Sequence, residues 1–578
     1  MHAIRNISPY LAKHKLRITL GFIAIATGTG FSVVQPYILR LSVDSLHRHP
    51  DVSLLTRYVL LFLGAAALQS LFAFVQRSTI SRVSRFVEYD LRNACFVHLQ
   101  ALDQRYFQEM HTGDLMARLT NDLNAVRQFV GMGMISVFST GIMLSAAAVL
   151  MFLIDWHLAL VSFAVLPFVS VTMIGVGQAM QKRFRGVQDQ FGQLSTSAQE
   201  NLSGIRVVKA FVQEDREIAS FVEANEEYVR RNMGYVILSG IMWPLMFLVM
   251  GIALALVLYV GGNDVAHGEI TLGQYVQFNA YLGMLTWPMI SLGWVVNLYQ
   301  QGAASMTRVM EVLHREPRIR DTGHTVPMRS LRGRIELRNV GVRHGDRWVF
   351  RHVSFLVEPG STTAVVGLTG AGKSTLMGLI PRVLEADEGE VLIDGVDVRH
   401  IPVEFLRRSI GFVPQDTFLF SASLRNNVMF GVATDDDTRL EQAVEVSRLG
   451  KDLGQFPAGM RTIVGERGVS LSGGQKQRTA LARAVLRDPV ILLLDDAMSS
   501  VDTHTQAEIL TGLRGIMKGR TTLITAMRIS TVKDADQIVV IDQGAVAEAG
   551  SHRDLFQGDG LYARMYRREL LRQELEVE

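Results

Sequence analysis

Six mostly apolar stretches fill the first half of this chain, near Ile18–Leu39, Tyr58–Val75, Val130–Ile154, Leu158–Met180, Val236–Val260 and Tyr275–Val296, each close to the ~20 residues that a helix needs to cross a bilayer's hydrocarbon. No other feature restricts the fold so strongly, because backbone inside lipid must satisfy its own hydrogen bonds and six such runs read as six membrane helices. The second and third runs are separated by more than 50 residues, as are the fourth and fifth, while the other gaps are short. Basic residues set the expected orientation. Segment 76–129 carries arginines from Arg77 to Arg127, and segment 181–235 carries Lys182, Arg183, Arg185, Arg206, Lys209, Arg216, Arg230 and Arg231. The turns Asp155–His157 and Gly261–Thr271 carry none. Positive charge favours the inner side, so both long segments and both termini are expected in the cytoplasm of a multi-pass plasma (bacterial inner) membrane protein. Met1–Arg17 is mixed and basic, and the apolar run after it is longer than a signal core, so no cleavable signal is expected.

The two long segments have apolar residues at helical spacing and few prolines, which predicts that the membrane helices continue far into the cytosol. The first is expected to turn at His111–Asp122 and the second near Ile205–Glu217, where either turn could meet a soluble domain. At 578 residues the chain exceeds one hydrophobic core, and His314–Arg332, with two prolines, two histidines and many charges, reads as a linker. The expected division is residues 1–310 for the membrane domain, 311–332 for the linker and 333–578 for a soluble α/β domain. A net charge of only +3 gives no reason to expect nucleic acid as a partner, and the single cysteine, Cys95, rules out an internal disulfide.

The soluble half states its chemistry in VVGLTGAGKST (Val365–Thr375), which follows an apolar strand and precedes a helical stretch. Gly367, Leu368, Thr369, Gly370, Ala371, Gly372, Lys373 and Ser374 match G-x-x-x-x-G-K-[ST], a loop whose backbone amides wrap phosphates. The Lys373 cation is expected on the β- and γ-phosphates of a nucleotide, and the Ser374 hydroxyl on Mg²⁺. The greasy run Val490–Leu494 (VILLL) predicts a buried strand with Asp495 at its end, placed to hold the magnesium directly or at one remove.

Six further stretches carry a family resemblance. LSGGQKQRTALARA (Leu471–Ala484) resembles the signature of ATP-binding-cassette (ABC) proteins; its Leu471, Ser472, Gly473, Gly474 and Gln475 correspond to the residues that contact an ATP held by the other subunit. FVPQD (Phe412–Asp416) is similar to the glutamine loop, with Gln415 at the position near Mg²⁺ and the attacking water. VGERG (Val464–Gly468) resembles the loop preceding the signature in exporters. SSVD (Ser499–Asp502) resembles the D-loop that ends in Asp502. ENLSGIRVVKAF and TGDLMARLTND resemble the cytosolic segments of ABC exporters. The resemblance covers nearly the whole chain. It implies an α-helical six-span transmembrane domain fused to an α/β ABC-type nucleotide-binding domain, a half-transporter that works as a dimer with ATP and Mg²⁺.

Three positions depart from the family pattern. Asp496 stands where a glutamate usually polarises the attacking water, and its side chain is shorter by about 1.5 Å, one C–C bond. Met527 replaces the switch histidine, and a thioether donates no hydrogen bond. His344 stands where an aromatic residue stacks on adenine, with Trp348 nearby. Two changes at one reaction centre, beside intact binding elements, imply a degenerate site. The resemblance then points to one subunit of a heterodimeric multidrug-type exporter, whose partner is a homologous half-transporter carrying Glu and His at the catalytic positions. Two alternatives stand beside it: a slow homodimer, and a nucleotide-gated regulatory subunit that transports nothing. The expected partners are the lipid bilayer and a small amphiphilic substrate, drug or lipid. Trp243, Phe247, Trp287 and Met289 in the spans fit an adaptable apolar pocket and ordinary helix packing equally well.

Overall fold

The computed structural model describes residues 2–48, 51–321, 323–432, 436–465, 469–526 and 528–577. The chain divides into two compact units, 1–100 with 112–315, and 101–111 with 316–578.

The described residues of the first unit form helices joined by short turns, with no strand among them. Its long helices are Lys15–Arg48, Val52–Ala101, the composite Thr112–Ile154, Trp156–Ser203, Glu214–Ala266 and Leu272–Leu313. Four of them, Lys15–His47, Val52–Ala101, Thr112–Ile154 and Glu214–Ala266, are long and apolar enough to cross a membrane on their described residues. The fourth and sixth expected spans fall in the helices Trp156–Ser203 and Leu272–Leu313, and the Met289 side chain lies outside the described residues. In the most apolar window of Val52–Ala101 only 6% of residues are buried, and the exposed Leu60, Leu61, Leu63 and Phe74 fit an apolar solvent. That helix has 50 residues and Glu214–Ala266 has 53, about 75–80 Å at 1.5 Å per residue, more than twice the thickness of the hydrocarbon.

Helix ends follow local chemistry. Asp155 accepts the Leu158 N–H at 2.8 Å and starts Trp156–Ser203. Thr271 and Gln274 form a capping box at the start of Leu272–Leu313, and the Asp44 carboxylate accepts from Thr271 Oγ1 and Gly273 N–H, both at 2.9 Å. Two π-helical turns interrupt Thr112–Ile154, at Arg118–Asp122 and Phe129–Gly133. Asp122, in the first, accepts from Ser305 Oγ and Arg308 Nε, both at 2.8 Å.

The first turn lies earlier than expected. Of His111–Asp122 only His111 belongs to the break; Thr112–Asp122 is helical, and the break falls at 102–111 around the short helix Gln104–Glu109. Asp103 causes it, in extended conformation and accepting the Arg105 N–H at 3.0 Å. The second turn falls within its expected range, between Gly204 and Gln213 around the short helix Ile205–Ala210.

Among its described residues the second unit carries twelve strands: β1 (Ile335–His344), β2 (Arg347–Val357), β3 (Thr362–Gly367), β4 (Glu388–Ile393), β5 (Val396–Asp397), β6 (Ile410–Val413), β7 (Ala422–Ser423), β8 (Ile463–Val464), β9 (Ile491–Asp495), β10 (Thr521–Thr525), β11 (Gln537–Asp542) and β12 (Ala545–Gly550). An antiparallel sheet has the order β2-β1-β4-β5, and a larger sheet the order β12-β11-β3-β10-β9-β6. In the larger sheet β11, β3, β10, β9 and β6 run parallel and only β12 is antiparallel. The VILLL run is legible as a strand because a parallel sheet is buried on both faces. Alternate side chains serve opposite cores: Leu492, Leu494 and Ile524 join one cluster, and Ile491, Leu493 and Leu523 the other.

Candidate nucleotide site

The parallel strands deliver their C-terminal ends to one place. β3 runs into the loop Leu368–Gly372 and the helix Lys373–Leu379, Gln415 follows β6, Asp495 and Asp496 end β9, and Thr525 ends β10. The crevice beyond the carboxyl ends of parallel strands is where α/β folds bind ligands. Here it is a cavity of about 290 Å³ lined by Val349, the run Thr369–Thr375, Gln415, Asp495, Asp496 and Thr525.

Two loop glycines are required by geometry. Gly372 has φ +89°, and a β-carbon there would lie 2.7 Å from Phe350 Cδ1 and 2.8 Å from Val349 Cγ1. A β-carbon on Gly367 would collide with the Ile541 carbonyl oxygen. The Lys373 ammonium donates to the carbonyls of Gly367 at 2.8 Å and Leu368 at 3.0 Å, so it lies over the loop where phosphates would sit. Burial lowers the Lys373 pKa, and the nearby carboxylates of Asp496 and Asp495 act in the opposite direction.

Ser374 Oγ donates to Gln415 Oε1 at 3.2 Å. Together with Asp495 these groups offer a hydroxyl, an amide oxygen and a carboxylate. Among the described residues no cluster of three His, Cys, Asp or Glu could hold a metal. The two facts agree, because Mg²⁺ takes hard oxygen ligands and is bound through one or two carboxylates plus substrate phosphates rather than by an all-protein cage. The donor set therefore fits magnesium arriving with a nucleotide.

Asp496 has φ +46°, a left-handed backbone that Asp tolerates better than most residues. Its N–H donates to the Thr525 carbonyl at 3.1 Å and to Thr525 Oγ1 at 3.0 Å. Asp496 and Thr525 also line an adjoining cavity of about 200 Å³ with Met498, Ser499, Gln506 and Arg528. Met527 lies outside the described residues, as do Glu466–Gly468 of the VGERG stretch.

His344 ends β1, is exposed, and pairs with Arg347 across the hairpin; it does not line the phosphate cavity. The Trp348 ring has the Arg343 guanidinium at 5.0 Å and the Arg351 guanidinium at 4.6 Å, and it lines a cavity shared with Leu368–Ala371 of the phosphate loop. Val349 and Thr525 line the cavity and were not singled out by motif reasoning, since each arrives from a strand beside the loop.

The signature residues stand apart from this cavity. Ser472 caps the helix Gly473–Leu486 in a capping box with Gln475. Leu471 is buried, and β-carbons on Gly473 and Gly474 would approach Ser500 to 3.0 Å. Gln477 ties this helix to the SSVD stretch, donating to Ser499 Oγ and accepting the Ser500 N–H, both at 2.9 Å. Asp502 caps the next helix, Thr503–Met517, by accepting the Thr505 N–H at 2.8 Å, which holds its carboxyl below the usual range. None of Leu471–Gln475 lines the cavity around Lys373.

A helical membrane unit followed by a P-loop domain with a separate signature helix defines an ABC exporter. The chain belongs to the ABC transporter family: residues 18–289 match the ABC transporter transmembrane region and 350–499 match ABC transporter, the ATP-binding domain. It is 33% identical over 572 residues, 98% of both chains, to a probable multidrug resistance ABC transporter ATP-binding/permease protein, YheI, of Bacillus subtilis (strain 168). It is 31% identical over 566 residues, 98% of this chain and 94% of the other, to an ATP-dependent lipid A-core flippase of Syntrophus aciditrophicus (strain SB). A solved bacterial Atm1-family ABC exporter with ATP bound superposes with TM-score 0.80 at 28% identity, covering 96% of this chain and 98% of that one.

Proposed function

We propose that this chain is one half of a heterodimeric ABC exporter that drives amphiphilic substrates, drug or lipid, across the membrane. Its relatives described as multidrug transporters and lipid flippases support that substrate class. In this reading residues 1–310 form the membrane domain and 333–578 the nucleotide-binding domain, with that domain and both termini cytoplasmic. Gly367–Thr375 wraps the phosphates of ATP, Lys373 neutralises them, and Ser374, Gln415 and Asp495 hold Mg²⁺. Bound magnesium would draw charge from the γ-phosphate, and this chain's residues would orient it. Leu471–Gln475 serves the ATP of the partner, and Asp502 lies at the same interface.

One observation carries the weak-site reading. Asp496 enters the Lys373 cavity with a short carboxylate on a left-handed backbone tethered to Thr525, while the phosphate loop is complete. A general base contributes about 10²–10⁴-fold when well placed, so a short one forfeits much of that. ATP bound here is held while hydrolysis proceeds at the site that joins this chain's signature to the partner's glutamate and histidine. The test is ATPase activity of the purified chain alone and with a homologous half-transporter bearing Glu and His. Little activity alone and restoration by the partner is the expected result; robust turnover by the lone chain overturns it.

A further inference from the structure

Thr525 is 1% exposed, so its hydroxyl must be satisfied by protein. It donates to Asp495 Oδ1 at 2.7 Å, a short bond of the kind carboxylates make. The same oxygen accepts the Asp496 N–H at 3.0 Å, sharing it with the Thr525 carbonyl at 3.1 Å. One hydroxyl thus grips both consecutive acids of the LLDD stretch, the first by its side chain and the second by its backbone. Holding Oδ1 on the β10 side limits rotation of the Asp495 carboxylate and leaves Oδ2 for the cavity that Ser374 and Gln415 also line. Holding the Asp496 N–H stabilises a left-handed backbone that a β-carbon disfavours, and so fixes where the second carboxylate leaves the chain. Serine keeps the hydroxyl that does both; valine has the shape of threonine and does neither.

We propose that Thr525 is a positioning residue of this nucleotide site, whose hydroxyl sets the Asp495 carboxylate and the Asp496 backbone together and thereby the seat of the divalent cation. Thr525 ends β10, and position 527, identified in the sequence with the switch, lies two residues further along the chain. The inference rests on the reading of Asp495 as a metal carboxylate.

The test is Mn²⁺ binding, followed by electron paramagnetic resonance, to the full-length chain in lipid nanodiscs with AMP-PNP. Thr525→Val is expected to weaken Mn²⁺ binding about tenfold, the effect of losing one hydrogen bond to a charged group. Thr525→Ser is expected to bind it as the wild type does, and AMP-PNP binding in EDTA is expected to change in neither. A folded Thr525→Val chain with unaltered Mn²⁺ affinity overturns the proposal. Should valine prevent folding, Thr525→Ala against Thr525→Ser decides, since both lack the methyl and differ in the hydroxyl; equal Mn²⁺ affinity overturns it. A wild-type chain that binds AMP-PNP but no Mn²⁺ overturns the metal reading itself, and this proposal with it.

Discussion

The Arg105 guanidinium holds both carboxylate oxygens of Asp387, Nη1 to Oδ1 at 3.1 Å and Nη2 to Oδ2 at 2.9 Å. Nη2 also reaches the Glu385 carbonyl at 3.1 Å, and Asp387 Oδ2 accepts the Arg343 N–H at 2.7 Å. One carboxylate therefore ties segment 101–111 to the strand end that carries His344. Both side chains are about four-fifths buried, at 22% and 19% exposure, so solvent screens the pair only partly. Arg105→Ala is expected to destabilise the second unit by about 1–3 kcal/mol, and Arg105→Lys to recover little because lysine cannot make the fork. Thermal unfolding, with limited proteolysis at 101–111, measures this; an Arg105→Lys chain as stable as wild type would contradict it.

The same pair makes stability depend on acid. Burial alone would raise the Asp387 carboxyl, but Arg105 and the Arg343 N–H outweigh it and hold the pKa below its ordinary value. A depressed folded pKa means that this contribution is complete above the unfolded value of about 3.9 and is lost as pH falls through the lower folded value. Asp387→Asn should thus be less stable than wild type near neutrality, with the gap closing below about pH 4. Melting temperatures of the two chains across that range check the sign.

Gly372→Ala is expected to abolish nucleotide binding. The new methyl would meet Phe350 and Val349 at 2.7–2.8 Å on a backbone with φ +89°, and strain of about 1–3 kcal/mol would be relieved by deforming the phosphate loop. Fluorescent-nucleotide titration of the folded variant would show retained affinity if the loop can absorb the methyl.

Asp452 and Arg478 form a nearly buried bidentate pair, with both bonds at 2.8 Å and exposures of 8% and 12%, beneath the signature helix. Arg478→Ala leaves a buried carboxylate without its cation and is expected to remove about 3–5 kcal/mol of stability. Replacing both residues with apolar ones of similar volume should recover much of it. A melt in which the double variant is as damaged as the single one would speak against desolvation as the cause.

Asp496→Asn is expected to alter turnover of the heterodimer little, whereas Ser472→Ala, which removes a helix cap worth about 1 kcal/mol, should lower it severely. Steady-state ATPase assays of the two variants decide which composite site does the work; a severe Asp496 effect with a mild Ser472 effect reverses the assignment.

Where residue type and neighbours along the chain suffice, the sequence was readable. VILLL needed only the fact that a central parallel strand is apolar on both faces, and the phosphate loop needed only its glycines. The turn at 102–111 was misplaced because Asp103 breaks the helix by a single cap, with neither glycine nor proline to mark it. Thr525 and Val349 were invisible for a different reason: their roles arise from lateral pairing, β10 beside β9 and β2 beside the loop, and no local pattern encodes which strand becomes whose neighbour.

The two π turns in Thr112–Ile154 change the angular phase of everything after them. A π turn accommodates one residue more than an α turn, so each sets the helix face back by about 100° relative to a continuous 3.6-residue wheel. Two together offset Met134–Ile154 by about 200°. A wheel drawn from Thr112 would thus assign to the lipid side many residues that face the opposite way. Cysteine scans or cross-linking maps of this helix must restart their count at Met134 if accessibility is to be converted into orientation.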